Sequence, residues 1–182
     1  MTTSEPTLGN TPGATLPAAA PSREVLTWEL YGVAGRALAQ AVADSGFRPD
    51  IVLGIARGGL IPAGSIAYAL DCKNLFTVSV EFYTGVESRL DLPVMLPPHL
   101  DTSELDGAEV LIVDDVADTG KTLEMVHEFC TGHVKVAKTA VLYHKSRSVI
   151  VPDFAWRQTD LWINFPWSVD PPVTPRSGIV DA

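Results

Sequence analysis

The chain has 182 residues, of which 46% are hydrophobic, and its formal net charge is −9. This length and composition fit one globular domain with a sizeable core and exclude a wholly disordered chain. The negative charge argues against broad nucleic-acid binding, which needs a basic surface, and no apolar run approaches the length of a membrane span.

The first residues predict a tail followed by a helix. Residues 1–22 are rich in Thr, Pro, Ala and Gly and have almost no charge, which predicts a disordered tail and shows no signal peptide. Thr27 is a candidate N-cap for a helix that would end near Gly46. The two cysteines, Cys72 and Cys130, show no metal-ligand spacing and indicate reduced thiols in a cytoplasmic protein.

A short apolar run near 50–55 is followed by Arg57, Gly58 and Gly59, and then by a predicted helix near 60–70. Adjacent glycines let the main chain approach a ligand closely, and the arginine guanidinium offers a planar set of donors to phosphate oxygens. An ordinary strand-to-helix turn with a surface arginine would have the same sequence pattern. This turn therefore suggests a phosphate site without identifying a ligand by itself.

Strands alternate with helices along the rest of the chain, which predicts an α/β fold with a mostly parallel twisted sheet flanked by helices. Ligands of such sheets bind beyond the carboxyl ends of the strands. The segment near 84–106 has three prolines and no helical pattern, which predicts a lid or a disordered loop. The other predicted elements are strands near 75–82, 109–114 and 134–143 and a helix near 121–131.

The most informative segment runs from Val110 to Leu123 and reads VLIVDDVADTGKTL. A β-branched apolar run ends in Asp114 and Asp115, and small polar residues then lead into a helix. Backbone N–H groups at a helix N-terminus can bind phosphate, and the acids can accept from sugar hydroxyls or meet a hard cation. The letters Gly120-Lys121-Thr122 match the end of a P-loop, but Asp115 stands where that motif needs a glycine.

The same segment resembles the phosphoribosyl pyrophosphate (PRPP) signature of the type I phosphoribosyltransferases. The resemblance implies a Rossmann-like core, and a Mg²⁺ ion that Asp114 and Asp115 hold directly or through water. It also implies a pyrophosphate turn at Arg57, often with a cis peptide bond, here at Ala56–Arg57 or Arg57–Gly58. Asp118 is implied as the general base, with a loop-capping carboxylate as the alternative. The implied PRPP-binding residues are Arg57, Gly58, Asp114, Asp115, Thr119, Gly120, Lys121 and Thr122.

Two further segments resemble the bacterial xanthine-guanine and related 6-oxopurine phosphoribosyltransferases. They read LYHK, ending at Lys145, and WINFPW, beginning at Trp162. The resemblance implies that Lys145 contacts the purine 6-oxo group, that Trp162 stacks on the base and that Ile163 offers backbone contacts to the base edge. A solvated strand end at Lys145 and simple hydrophobic packing of Trp162 are the alternatives.

The chain departs from the resembled pattern at three positions. Lys121 stands where the family often has a small residue, and Asn164 and Ser168 replace acids of the xanthine-guanine enzymes. The resemblance therefore does not predict which base is preferred. Tyr83 lies near the place where the purine enzymes carry a lid tyrosine.

The residues and the resemblance together predict a phosphoribosyltransferase domain over 23–170, with a base-binding hood near 145–170 and flexible tails at 1–22 and 171–182. The predicted activity is transfer of the phosphoribosyl group from PRPP to a purine base in purine salvage, by a cytoplasmic homo-oligomer, a dimer or tetramer by analogy. Neither nucleic acid nor membrane is an expected partner. A phosphoribosyltransferase for another base, a non-catalytic PRPP-binding regulator and a structural protein on the same fold remain alternatives.

Overall fold

A computed structural model describes residues 23–82, 93–96 and 105–175. These residues form helices and strands that alternate along most of the chain, as the sequence predicts. The helices are α1 (Trp28–Asp44), α2 (Leu60–Ala69) and α3 (Lys121–Thr131). The strands are β1 (Arg23–Val25), β2 (Ile51–Ala56), β3 (Leu75–Phe82), β4 (Pro93–Leu96), β5 (Glu109–Ala117), β6 (Val136–His144), β7 (Phe154–Gln158) and β8 (Trp162–Asn164).

Six strands form the central sheet in the order β4-β3-β2-β5-β6-β7. Neighbouring strands are parallel except for β3 and β4, which are antiparallel. The central strands are apolar almost throughout because helices cover both faces of the sheet. The predicted α/β fold with a mostly parallel sheet is therefore confirmed.

Alternate side chains of β5 enter two separate cores. Val110 and Ile112 pack on the α3 side of the sheet, whereas Leu111 and Val113 pack on the side of α1 and α2. This follows from the two-residue period of a strand.

Strand β5 is longer than predicted. It continues past Val113 to Ala117, because its pairing with β6 persists to Ala117 opposite His144. The prediction that the strand ends at Asp114 was wrong, since Asp114 and Asp115 lie inside the strand. The backbone of Asp114 is paired with that of Val141 in β6.

Part of the predicted lid segment is a strand. Pro93–Leu96 pairs antiparallel with β3, with Met95 opposite Val80. A proline at the start of an edge strand removes no hydrogen bond that the ladder needs. Leu105, near the other end of the segment, is fully buried in the core on the α3 side. Tyr83, the rest of the predicted lid segment and the tails at 1–22 and 176–182 lie outside the described residues.

A second, two-stranded parallel sheet joins the two ends of the described chain. Strand β1 pairs with β8, placing Arg23 beside Trp162 and Glu24 beside Ile163. Strand β8 lies in the segment near 145–170 that is predicted to form the hood. Strands of three residues are too short to show a periodicity in the sequence. Within the described ranges, no helix is both long and apolar enough to cross a membrane.

Candidate active site

The turn after β2 and the end of β5 are in direct contact. The pairing of β2 with β5 ends where Gly54 lies beside Val113, so the turn after β2 lies next to the acids of β5. A Cβ atom at Gly58 would lie 2.0 Å from Oδ2 of Asp115, and one at Gly59 would lie 2.6 Å from the carbonyl oxygen of Val113. Real Cβ atoms do not approach other atoms so closely. A side chain at position 58 would displace the Asp115 carboxylate, and only glycine fits at position 59, where the contacts are to backbone atoms. The two motifs that the sequence singled out thus meet at one place.

The peptide bond between Ala56 and Arg57 is cis, at one of the two predicted positions. The carbonyl oxygen of Arg57 accepts a hydrogen bond from the backbone N–H of Leu60, 3.2 Å away, where α2 begins. The Arg57 side chain itself is exposed, so its guanidinium is accessible to a ligand.

The side chains of Asp114 and Asp115 lie within hydrogen-bonding distance of each other. Asp114 lines a cavity together with the turn that precedes α3, whereas Asp115 lies against Gly58 and accepts a hydrogen bond from the Trp167 side chain. The backbone N–H of Asp115 donates to Oδ1 of Asp114 over 2.8 Å. Burial raises the pKa of Asp114 well above its ordinary value, and the neighbouring charge of Asp115 adds to this effect. Burial likewise raises the pKa of Asp115 from 3.8 to about 6.

The raised pKa of Asp115 predicts a pH-dependent cost to the stability of the ligand-free protein. The unfolded chain ionises this group near its ordinary pKa, so the free energy of unfolding falls as the pH rises from about 4 to about 6. Above about pH 6 the free energy of unfolding is lower by at most roughly 3 kcal/mol, since one pKa unit corresponds to about 1.4 kcal/mol. Asp115→Asn is therefore expected to raise the melting temperature at pH 7.5 and to change it much less at pH 4.

Asp160→Asn is the matched control for this prediction. The pKa of Asp160 is lowered, chiefly by hydrogen bonds from the backbone and hydroxyl of Ser146, so its carboxylate stabilises the fold at higher pH. Asp160→Asn should lower the melting temperature at pH 7.5, which is the opposite sign. Thermal unfolding followed by circular dichroism between pH 4 and 8 measures both effects. The prediction would be contradicted if the difference in melting temperature between Asp115→Asn and the native protein were the same at every pH.

The predicted 5-phosphate residues line one cavity of about 440 Å³ at the start of α3. Gly120 has a left-handed backbone (φ 78°), and a Cβ there would lie 2.2 Å from Oγ of Ser148. The carbonyl oxygen of Thr119 accepts from the N–H of Val149 over 2.9 Å, which ties this turn to the loop after β6. The predicted residues on the cavity wall are Asp114, Asp118, Thr119, Gly120, Lys121 and Thr122.

A second cavity, of about 350 Å³, lies beside the first and contains the predicted base-binding residues Lys145, Trp162 and Ile163. Lys145 is only 5% exposed, which contradicts the alternative of a solvated strand end. Its ammonium group lies 3.3 Å from Oδ1 of Asp118 and 6.0 Å from the centre of the Trp162 ring. Trp162 is 65% exposed, so its ring face is available rather than packed in a core.

Asp118 lies on the wall of both cavities. Besides Lys145 it binds Arg147, whose Nε donates to Oδ1 over 3.0 Å and whose terminal nitrogen also contacts the same oxygen. Burial raises the pKa of Asp118, but hydrogen bonds from Arg147 and Lys145 outweigh burial and hold the pKa below its ordinary value. Asp118 is thus ionised near neutral pH and is placed between the two cavities.

Sequence reasoning missed three residues of this region, namely Arg23, Arg147 and Trp167. Arg23 lines the base cavity and donates to Oδ1 of Asn164, 141 residues further along the chain. Trp167 lies in an aromatic cluster and reaches Asp115, which is far from it in sequence. Their roles depend on contacts between distant segments, and no local pattern signals such contacts.

Comparisons with known proteins show the family to which the chain belongs. The model of the phosphoribosyl transferase domain family matches residues 23–173. The xanthine-guanine phosphoribosyltransferase of Cereibacter sphaeroides is 34% identical over 153 residues, which cover 79% of this chain and 86% of that protein. The Ruegeria enzyme of the same name is 34% identical over 155 residues, covering 79% and 84%. A purine phosphoribosyltransferase structure from Pyrococcus horikoshii has 38% identity and a TM-score of 0.70, covering 85% of this chain and 99% of that one.

Proposed function

This chain belongs to the phosphoribosyl transferase domain family, and on that premise we propose that it transfers the phosphoribosyl group of PRPP to a 6-oxopurine base. The chain is a phosphoribosyltransferase, and its products are a nucleoside monophosphate and pyrophosphate, as in purine salvage. Hypoxanthine, guanine and xanthine are the candidate bases, since relatives at about one-third identity are named for xanthine and guanine.

One observation carries the proposal: the three predicted subsites adjoin one another. Gly58 touches Asp115, Asp114 lines the cavity of the phosphate turn, and Asp118 lies on both that cavity and the base cavity. A single PRPP molecule spans a pyrophosphate, a ribose and a 5-phosphate, and the base must approach its ribose. The adjoining subsites match that order.

The residues of the site then have separate tasks. Arg57 and Gly58 bind the pyrophosphate, the acids of β5 accept from the ribose hydroxyls, and the turn from 119 to 122 binds the 5-phosphate. The bond between the ribose C1 and the pyrophosphate oxygen breaks, and a bond from C1 to a ring nitrogen of the purine forms. Asp118 accepts the proton that this nitrogen loses.

The donor set also fits a Mg²⁺ ion. Within the part of the chain that the structure describes, no group of three or more His, Cys, Asp or Glu side chains could hold a metal ion. Asp114 and Asp115 supply two hard carboxylates, and Mg²⁺ is commonly bound by one or two carboxylates together with substrate phosphates and water. When bound with PRPP, the ion would neutralise charge on the departing pyrophosphate.

The base cavity favours a purine that has an oxygen at C6. The ammonium group of Lys145 is a donor only, so it pairs with a carbonyl oxygen and not with the amino group of adenine. Its position 6.0 Å from the centre of the Trp162 ring lets one base stack on the ring and reach the ammonium group. Stacking of this kind contributes roughly 1–3 kcal/mol.

A base panel tests the proposed function. The purified full chain is mixed with PRPP, MgCl₂ and one base at a time, and pyrophosphate release is followed with a coupled assay. Release is expected with hypoxanthine, guanine or xanthine and not with adenine, uracil or orotate. PRPP binding without release for any base would instead make the chain a regulator, and release only with adenine or a pyrimidine would overturn the base assignment.

We also propose that the chain forms a homo-oligomer in the cytoplasm. Helix α2 is apolar on its outward side as well as its core side, and Leu60, Gly64 and Tyr68 follow one another there at four-residue spacing. Tyr68 is 92% exposed, and a helix that is hydrophobic all round is normally covered. A second copy of the chain is the proposed cover, and a single protomer in sedimentation velocity would contradict it.

A further inference from the structure

The base cavity has a cationic side chain on each of two walls. Lys145 comes from the end of β6 and is held by Asp118, 3.3 Å away. Arg23 comes from β1 and is held by Asn164, whose Oδ1 accepts from its Nη1 over 3.3 Å. The two cations come from different strands and are held by different partners. They therefore occupy separate positions around the space where a base would bind.

The pairing of β1 with β8 fixes Arg23 beside the stacking ring. Arg23 is the direct neighbour of Trp162 in this parallel pair, and paired residues of adjacent strands share one face. The next residues, Glu24 and Ile163, turn to the other face, where Ile163 is 7% exposed. Asn164 returns to the face of Arg23, which explains their contact. A base stacked on Trp162 therefore has the Arg23 guanidinium at its rim.

The carboxylate and the side-chain amide oxygen on the wall of this cavity are already engaged. Asp118 is the one acid on its wall among the described residues, and it binds both Lys145 and Arg147. The side-chain oxygen of Asn164 accepts from Arg23. The cavity thus offers charged donors more readily than acceptors. Purines differ in what they need at C2: xanthine has an oxygen, guanine an amino group and hypoxanthine only hydrogen.

We propose that Arg23 is a specificity residue that donates to the C2 oxygen of xanthine, while Lys145 binds its C6 oxygen. The inference rests on the proposed function and names the preferred base within it. Guanine would direct its C2 amino group at a guanidinium, two donors facing each other, and hypoxanthine would offer the guanidinium no acceptor at C2. The chain is therefore expected to use xanthine in preference to guanine.

Arg23→Met tests this assignment. The expected result is a decrease of about tenfold or more in the ratio of kcat/KM for xanthine to that for hypoxanthine, because a charge-assisted hydrogen bond to a partly exposed group is lost. Arg23→Lys keeps the charge without the planar fork and should restore part of the ratio. Arg48→Met removes an exposed arginine that does not line the cavity, and it controls for the change in net charge.

Asn164→Asp tests the same contact by changing the hydrogen-bond partner of Arg23. The new carboxylate neutralises Arg23 and offers an acceptor, so the ratio of kcat/KM for guanine to that for xanthine should rise at least about fivefold. Equal losses for all three bases in Arg23→Met would assign Arg23 a structural role in β1 and overturn the proposal. Unchanged base ratios in either variant would overturn it as well. Native protein that converts none of the three bases would instead refute the proposed function itself.

Discussion

Gly58→Ala is expected to lower kcat/KM for PRPP by about a hundredfold or more while the chain still folds. The added methyl group would stand 2.0 Å from the Asp115 carboxylate, so either that side chain or the turn after β2 must move by an ångström or more. Displacements of this size at a reacting centre cost about two orders of magnitude in rate. The carboxylate end of Asp115 can rotate away, so the loss should fall on activity rather than on folding. Steady-state kinetics with saturating base and varied PRPP measure it.

Gly32→Ala is the matched control. Gly32 lies in the exposed part of α1, and a Cβ there meets nothing within 4 Å. Alanine in a helix interior is favoured over glycine by roughly 0.5–1 kcal/mol, so this variant should melt slightly higher and keep its activity. Gly59→Ala extends the series, because its methyl group would meet backbone atoms of Val113 that cannot rotate away. Native kinetics in Gly58→Ala would show that the two turns do not form one PRPP site.

The sequence was sufficient to predict the parallel sheet because the signals for it are local. Buried parallel strands read as short apolar runs, and Thr27 caps α1 as predicted, with its hydroxyl accepting from the N–H of Leu30 over 3.2 Å. The end of β5 was mispredicted because two adjacent aspartates suggest a loop. Hydrogen bonds to β6 override that preference, and the acids remain in the strand at the cost of raised pKa values.

The relations between segments could be anticipated only where topology dictates them. Parallel neighbours end at the same edge of a sheet, which is why the turn at Gly58 and the acids of β5 meet. Arg147, by contrast, follows β6 as an ordinary polar residue, and only the folded loop brings it to Asp118. Arg23 reaches the base cavity because three residues pair with β8, a segment too short to show strand periodicity. Such contacts bring functional side chains into the site, but no pattern in the local sequence predicts them.

Asp118→Asn is expected to reduce kcat by about a hundredfold or more and to change the Kd for PRPP by less than about twofold. General base catalysis contributes roughly 10²- to 10⁴-fold, and the lower end applies because Arg147 and Lys145 weaken this carboxylate as a base. Asparagine keeps the shape of the side chain but cannot accept a proton. Kinetics under saturating substrates, with PRPP binding measured by calorimetry, separate the two effects. Equal loss of kcat and PRPP binding would contradict a role confined to proton transfer.

Arg147→Met tests whether Asp118 acts as a general base or only as the counterion of Lys145. Loss of the guanidinium removes hydrogen bonds that lower the pKa of Asp118, so that pKa rises and the acid limb of the kcat/KM profile moves to higher pH. The rate on the alkaline side should not fall, since the carboxylate is then a stronger base. If Asp118 only neutralised the buried Lys145, the cost of Asp118→Asn would vanish in a Lys145→Met background. We expect most of that cost to persist there, because a proton must still leave the ring nitrogen when the new glycosidic bond forms.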